Sequence, residues 1–231
     1  MWPLVRFGVI GEAWQLYKRH WVVWSLAMLI VMTCYSLING VLAAWLHEGP
    51  GPGPGGFRLF LPGRGALHFI VSTVVSGFFV GGMIRMASNQ VRGRAPRIED
   101  LFSVTDCWFD LLLAALLLGA ASALATLLCV IPGFIVFGLF MLAIPLVVEG
   151  RLPATGSLIQ SWEALKAQWM TATVFHFFLI LVASSGILLC CVGVFFTGPL
   201  YALSIAILYH EFFPSGPLDV RHKPAEPLAE I

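Results

Sequence analysis

The stretch WFDLLLAALLLGAASALATLLCVI, residues Trp108–Ile131, decides the fold. It carries a single formal charge, Asp110, near its start. A helix needs about 20 mostly apolar residues to cross the hydrocarbon core of a bilayer. This run exceeds that length, and it has neighbours of the same kind on both sides. Upstream lie Trp21–Leu46 and Ala66–Ser88, the latter with Arg85 near its end. Downstream lie Gly133–Val148, Thr171–Val192 and Val194–Phe213. The third and fourth runs are separated at Ile131-Pro132-Gly133, and the fifth and sixth at Gly193. Each joined pair is too long for one crossing, and proline and glycine punctuate helices for steric reasons. The expected fold is therefore an all-α integral membrane protein of about six transmembrane helices, paired as three hairpins in one membrane domain, 1–213, with a loose tail, 214–231.

Composition agrees. Of the 231 residues, 59% are hydrophobic and 11% charged, whereas soluble domains carry about 25% charge. A chain so poor in charge cannot coat a water-facing surface. The net charge of +1 gives no basic field for nucleic acid. The cysteines, Cys34, Cys107, Cys129, Cys190 and Cys191, form no C-x-x-C pair and no Cys/His set with zinc spacing, so no metal or cofactor is implied. A disulfide from Cys129 to Cys190 or Cys191 is an open alternative to free thiols. Lys18 and Arg19 precede an apolar run too long for a cleaved signal, which reads as a retained anchor.

The cations set the orientation. Arg6, Lys18, Arg19, Arg85, Arg92, Arg94, Arg97, Arg151, Lys166, Arg221 and Lys223 fall on one side of the expected bilayer, and Arg58 and Arg64 on the other. Both termini are thus expected in the cytoplasm, across a cell (inner) membrane. The outer connection after the first helix contains GPGPGPGG at Gly49–Gly56, which suits neither helix nor sheet.

Each hairpin is preceded by a segment with an apolar face at helical spacing. Phe7, Ile10, Trp14, Tyr17 and Trp21 form the first face; Ile98, Leu101, Phe102 and Thr105 the second; Leu158, Trp162, Leu165 and Trp169 the third. Glu99, Asp100, Ser103 and Asp106 stand opposite in the second, and Gln160, Glu163 and Lys166 in the third. Ser157 with Gln160 is spaced as a capping box. Such helices are expected to lie in the cytoplasmic interface, with Trp21, Trp108 and Trp169 where the chain enters the bilayer. Gly93-Arg94-Ala95-Pro96 and Gly150-Arg151-Leu152-Pro153 repeat the same wording, so a pseudo-threefold array is expected, with units 1–88, 89–148 and 149–213.

Small residues at four-residue spacing (Gly77 and Gly81; Ala115, Gly119 and Ala123; Gly198, Ala202 and Ala206) serve close helix packing or self-association. Ionisable residues within a membrane point to function by default. The deepest here is His176; Asp110, Arg85, Glu149, His210 and Glu211 lie near cytoplasmic ends, and His68 near an outer one. Pro145 and Pro199 each free a carbonyl and mark a packing kink or a substrate-binding break. There is no phosphate loop, H-E-x-x-H or G-x-S-x-G.

Ile131-Pro132-Gly133, Pro145, Glu149-Gly150 and Ser161-Trp162, with Leu165-Lys166 and Trp169, resemble a bacterial membrane family. It is the family named for the membrane-spanning domain attached to some glycerophosphoryl diester phosphodiesterases. The resemblance implies a six-helix inner-membrane protein whose matched positions are Pro132, Gly133, Glu149, Gly150, Ser161 and Trp162. It implies no phosphodiesterase activity, since in fused members that chemistry belongs to a soluble barrel and no soluble stretch of this sequence is long enough to form one. Pro132-Gly133 suits a tight outer turn, and Glu149 is placed to accept from Arg151 or cap the next helix. The leading expectation is a non-catalytic membrane protein that organises lipids or partner proteins at the cytoplasmic face. A small-solute transporter is the alternative, and a lipid-acting enzyme the third.

Overall fold

The computed structural model describes residues 3–47, 64–128, 130–186 and 193–214. The Gly/Pro tract, Cys129, Cys190, Cys191 and the tail beyond Pro214 lie outside them, and so does the disulfide expectation. The described residues are helical, with no strand among them. Nine α-helices are described: α1 Gly8–Arg19, α2 Trp21–His47, α3 Arg64–Val91, α4 Trp108–Leu128, α5 Val130–Leu139, α6 Ala143–Val148, α7 Ala154–Leu165, α8 Trp169–Ser185 and α9 Val194–Phe212. Among the described residues, four segments are long and apolar enough to cross a membrane, at Trp21–Trp45, Leu67–Val91, Ile98–Ala125 and Ala154–Ser185; Pro132–Val148 is a shorter apolar one.

Side-chain pairings fix the directions. Trp24 meets Gln90, and Asn39 meets Ser72, so α2 and α3 run antiparallel. Gly77 faces Ala115 and Gly119 faces Thr73, so α3 and α4 do likewise. Phe134 packs on Phe177 and Phe137 on His176 between α5 and α8, and Thr197 bonds to Ala183 between α8 and α9. The centre belongs to α9, which packs against α1, α2, α3 and α8. From Pro199 to Phe212 it is buried almost throughout, as expected of a helix apolar on every side.

Small residues set how closely these helices approach. A Cβ on Gly82 would overlap the carbonyl of Leu101, and one on Gly138 would lie 2.7 Å from the Thr173 Cα. Gly186 and Gly193 touch backbone to backbone, and Gly198 receives Met28. Gly77, Gly81, Ala115, Gly119 and Gly198 are thus occupied by internal contacts.

Four readings of the sequence are corrected. The segment before α4 is not an α-helix but two 3-10 turns, Ile98–Leu101 and Ser103–Cys107. With about three residues per turn, the inward side becomes Leu101, Val104 and Cys107, while Phe102 is exposed. In α7 the buried side is Ala154, Ser157, Gln160, Ser161, Ala164 and Leu165, so Gln160 points inward. Ser157 lies inside that helix, donating to the Ala154 carbonyl, and Pro153 takes the cap position. In α1 the buried line is Val9, Ala13 and Tyr17; Phe7, Trp14 and Trp21 are exposed beside it.

The fourth correction concerns Gly133–Val148, which is two helices. Pro132 and Gly133 sit in the first turn of α5, which starts at Val130, where a missing N–H costs nothing. A break at 140–142 precedes Pro145, whose ring cannot follow a continuous helix. The Ser161 hydroxyl donates to the Leu139 carbonyl at that break, at 2.8 Å.

The two Gly-Arg-x-Pro turns differ by one residue. After α3 the left-handed position is Gly93, φ 78, and the amides of Gly93 and Arg94 return to the Gln90 and Asn89 carbonyls. After α6 it is Arg151, φ 54, not Gly150.

Gly82→Ala is expected to destabilise the protein by about 1–3 kcal/mol through overpacking. Gly40→Ala, with nothing within 4 Å of the added methyl, is expected to stabilise helix α2 by about 0.5–1 kcal/mol. Thermal unfolding of both variants in the same detergent checks the pair.

Candidate functional site

Six helix ends meet at one end of the bundle, the starts of α2, α4 and α8 and the ends of α3, α6 and α9. Polar side chains bind them together. Arg85, from the last third of α3, is the hub. Its Nη1 donates to the Ser103 carbonyl at 2.6 Å and to Asp106 at 3.1 Å; its Nη2 donates to the Val148 carbonyl at 2.7 Å. Its Nε lies 3.8 Å from Glu149. One guanidinium thereby satisfies a 3-10 turn and the buried carbonyl end of α6, where a cation also complements the helix dipole.

Glu149 receives Arg92 at 2.6 Å, and Arg151 pairs with Asp106. The expected partnership of Glu149 with Arg151 is therefore replaced by a crossed arrangement. The left-handed backbone at Arg151 carries its side chain to the 3-10 turn, leaving Glu149 to α3. Nor does Glu149 cap α7; Asp110 does, its carboxylate accepting from the Ala154 amide at 3.3 Å. Gly150 follows Glu149 through the turn, its amide 3.4 Å from the Pro145 carbonyl. The Arg85 and Glu149 side chains are 12% and 5% exposed, whereas Arg151 is 56% exposed. The inner pair is the one whose loss strands a charge away from water.

A second clasp uses glutamines. Gln90 accepts from Trp24 Nε1 and donates to the Leu16 carbonyl, both at 2.6 Å, joining α1, α2 and α3. Gln168 accepts from the Val5 amide at 3.0 Å and donates to the Pro3 carbonyl at 2.8 Å. Arg6 pairs with Glu211. The chain before α1 is thus stitched to the α7–α8 junction and the end of α9. Glutamine gave no signal in the sequence beyond its rarity in apolar runs, and these residues were missed.

The structure does not bring Asp110, His210 and Glu211 into one cluster, since Asp110 is held at α7 and Glu211 by Arg6. Among the described residues no group of three or more His, Cys, Asp or Glu side chains is placed to hold a metal. His176 is 2% exposed. It stacks on Phe137, with centroids 6.0 Å apart, and meets Tyr201 edge-on at 5.9 Å; its Nδ1 has no partner among the described residues. Pro199 is buried in α9, and the nearby Thr197 hydroxyl donates to Ala183 at 2.7 Å. Trp162 stacks on Phe140 at 6.3 Å and remains partly exposed. At the far ends of α2 and α3, Leu37, Ile38, Val41, Leu42, Trp45 and Val71 line an open apolar groove.

Comparison with known protein families, curated proteins and solved structures finds no match to this chain.

Arg85→Ala is expected to cost about 3–5 kcal/mol, because it leaves Glu149 short of a partner and the Val148 carbonyl open. Arg151→Ala is expected to cost less than about 1 kcal/mol, as exposed pairs contribute little. Denaturant titration in mixed micelles separates the two; equal losses would refute the ranking.

Proposed function

We propose that this chain is a multi-pass membrane protein that organises lipids or partner proteins at the cytoplasmic face and performs no chemistry of its own. The observation that carries the reading is the gathering of exposed Trp14, Trp21, Trp108, Trp162 and Trp169 at the end where the arginine-rich connections lie. Tryptophan favours the headgroup region, and cations favour the cytoplasmic side. In this reading α2, α3, α4, the α5–α6 pair, α8 and α9 make six crossings, with both termini inside an inner membrane. The segments before α2, α4 and α8 lie in the interface. The resemblance to the glycerophosphoryl diester phosphodiesterase membrane-domain family fits the same reading: Ser161 and Pro132 serve the broken fourth crossing, and Glu149 the clasp.

Packing supports an organiser over a carrier. Thr197 is spent on the Ala183 carbonyl, Ser72 on Asn39, and α9 fills the middle of the bundle. The second reading, a small-solute transporter, draws on His176, whose buried Nδ1 has no partner among the described residues.

Cysteine labelling on a cysteine-free background tests the arrangement. Arg94→Cys is expected to react only from the cytoplasmic side and Gly65→Cys only from the outside; the reverse pattern refutes it. In proteoliposomes, solute flux that disappears in His176→Ala would replace the organiser with the transporter.

A further inference from the structure

The junction of α1 with α2 and the connection leaving α3 are far apart in sequence but adjacent in space. The Gln90 side chain donates to Leu16, two residues before Lys18, and accepts from Trp24, three residues after Trp21. Two residues beyond Gln90 the chain presents Arg92, and then Arg94. The following 3-10 turn, Ile98–Leu101, packs against both α2 and α3, which keeps this connection beside the start of α2. Lys18, Arg19 and Arg94 therefore stand on adjoining stretches of chain at one corner, while Arg92 turns to Glu149.

Their charge is poorly compensated. Lys18, Arg19 and Arg94 are exposed and have no ion-pair partner among the described residues; Glu99 and Asp100 of the adjacent 3-10 turn pair with none of them, and Asp100 accepts from the Arg97 amide. Glu12, the acid of α1, lies 3.5 Å from Arg6. Glu149 and Asp106 are shared among Arg85, Arg92 and Arg151, three cations for two carboxylates. Beside this corner Trp21 and Trp14 expose their rings, Trp14 stacked on the buried Tyr17 at 5.6 Å. Unpaired cations on the same stretch of chain as exposed indoles match the two halves of an anionic lipid, its phosphate and the upper part of its acyl chains.

We infer that Lys18, Arg19 and Arg94, with Trp21, form a binding site for the headgroup of an anionic phospholipid of the cytoplasmic leaflet. The inference rests on the membrane reading above and names the lipid class that the proposed organiser holds.

Native mass spectrometry of the full chain, in detergent with phosphatidylglycerol and phosphatidylcholine as competing probes, tests it. Phosphatidylglycerol should be retained preferentially. Retention should weaken by about fivefold for each cation neutralised, and by about a hundredfold in the triple variant Lys18→Gln, Arg19→Gln, Arg94→Gln. Lys166→Gln, which removes a cation paired with Glu163, should leave retention unchanged, and Arg19→Lys with Arg94→Lys should restore most of it. Equal retention of the two lipids, a triple variant that behaves as wild type, or displacement by inorganic phosphate as effective as by phosphatidylglycerol would each overturn the site. If these results came from a chain still inserted with Arg94 inside, only the headgroup site would fail; reversed labelling or His176-dependent flux would fail the membrane organiser itself.

Discussion

The fold depends on one guanidinium. Arg85 leaves α3 where three other pieces of chain end, the 3-10 turn before α4, the short helix α6 and the turn after it. None of these pieces is long enough to hold its place alone. A six-residue helix is marginal in isolation, and 3-10 turns have poor hydrogen-bond geometry. A rigid planar cation with several donors can satisfy carbonyls in two directions and still meet a carboxylate. Lysine, with a single charged nitrogen, could not span the same set.

Away from that end, the helices meet through absence of bulk. In lipid, apolar surfaces gain little by hiding from one another, so close contact and hydrogen bonds must supply the attraction. The glycines at 82, 138 and 186 bring backbones together, those at 77 and 198 admit Ala115 and Met28, and serines and threonines bond neighbouring carbonyls. Ser161 illustrates the economy: one hydroxyl closes the carbonyl left open at Leu139 where the α5–α6 path breaks. Ser72, Ser161 and Thr197, hydroxyls that look like transport candidates in a sequence, are here engaged in holding helices.

The long helices were legible because apolar length is a one-dimensional property. α2, α3, α4 and α9 start or end within a few residues of where composition places them. The interior of Gly133–Val148 was not legible, because Pro145 signals a break without saying which residues turn before it. The 98–107 segment was misread for a related reason: periods of three and 3.6 are hard to distinguish over so few residues, and only packing chooses. In the candidate site, Arg85 and Glu149 stood out as charges beside apolar runs. Their partners did not, since ion pairing between distant segments has no sequence period, and Gln90 and Gln168 carry no charge to draw notice.

The paired turns after α3 and α6 bear on how such chains should be compared with themselves. Spelling aligns Gly93 with Gly150, yet backbone shape aligns Gly93 with Arg151. A duplicated phrase has thus slipped by one place relative to the curve it describes. Any scheme that stacks the copies letter by letter would assign the demand for a left-handed residue to the wrong column, and would overlook that the second copy tolerates a side chain there because that side chain has an acid to reach.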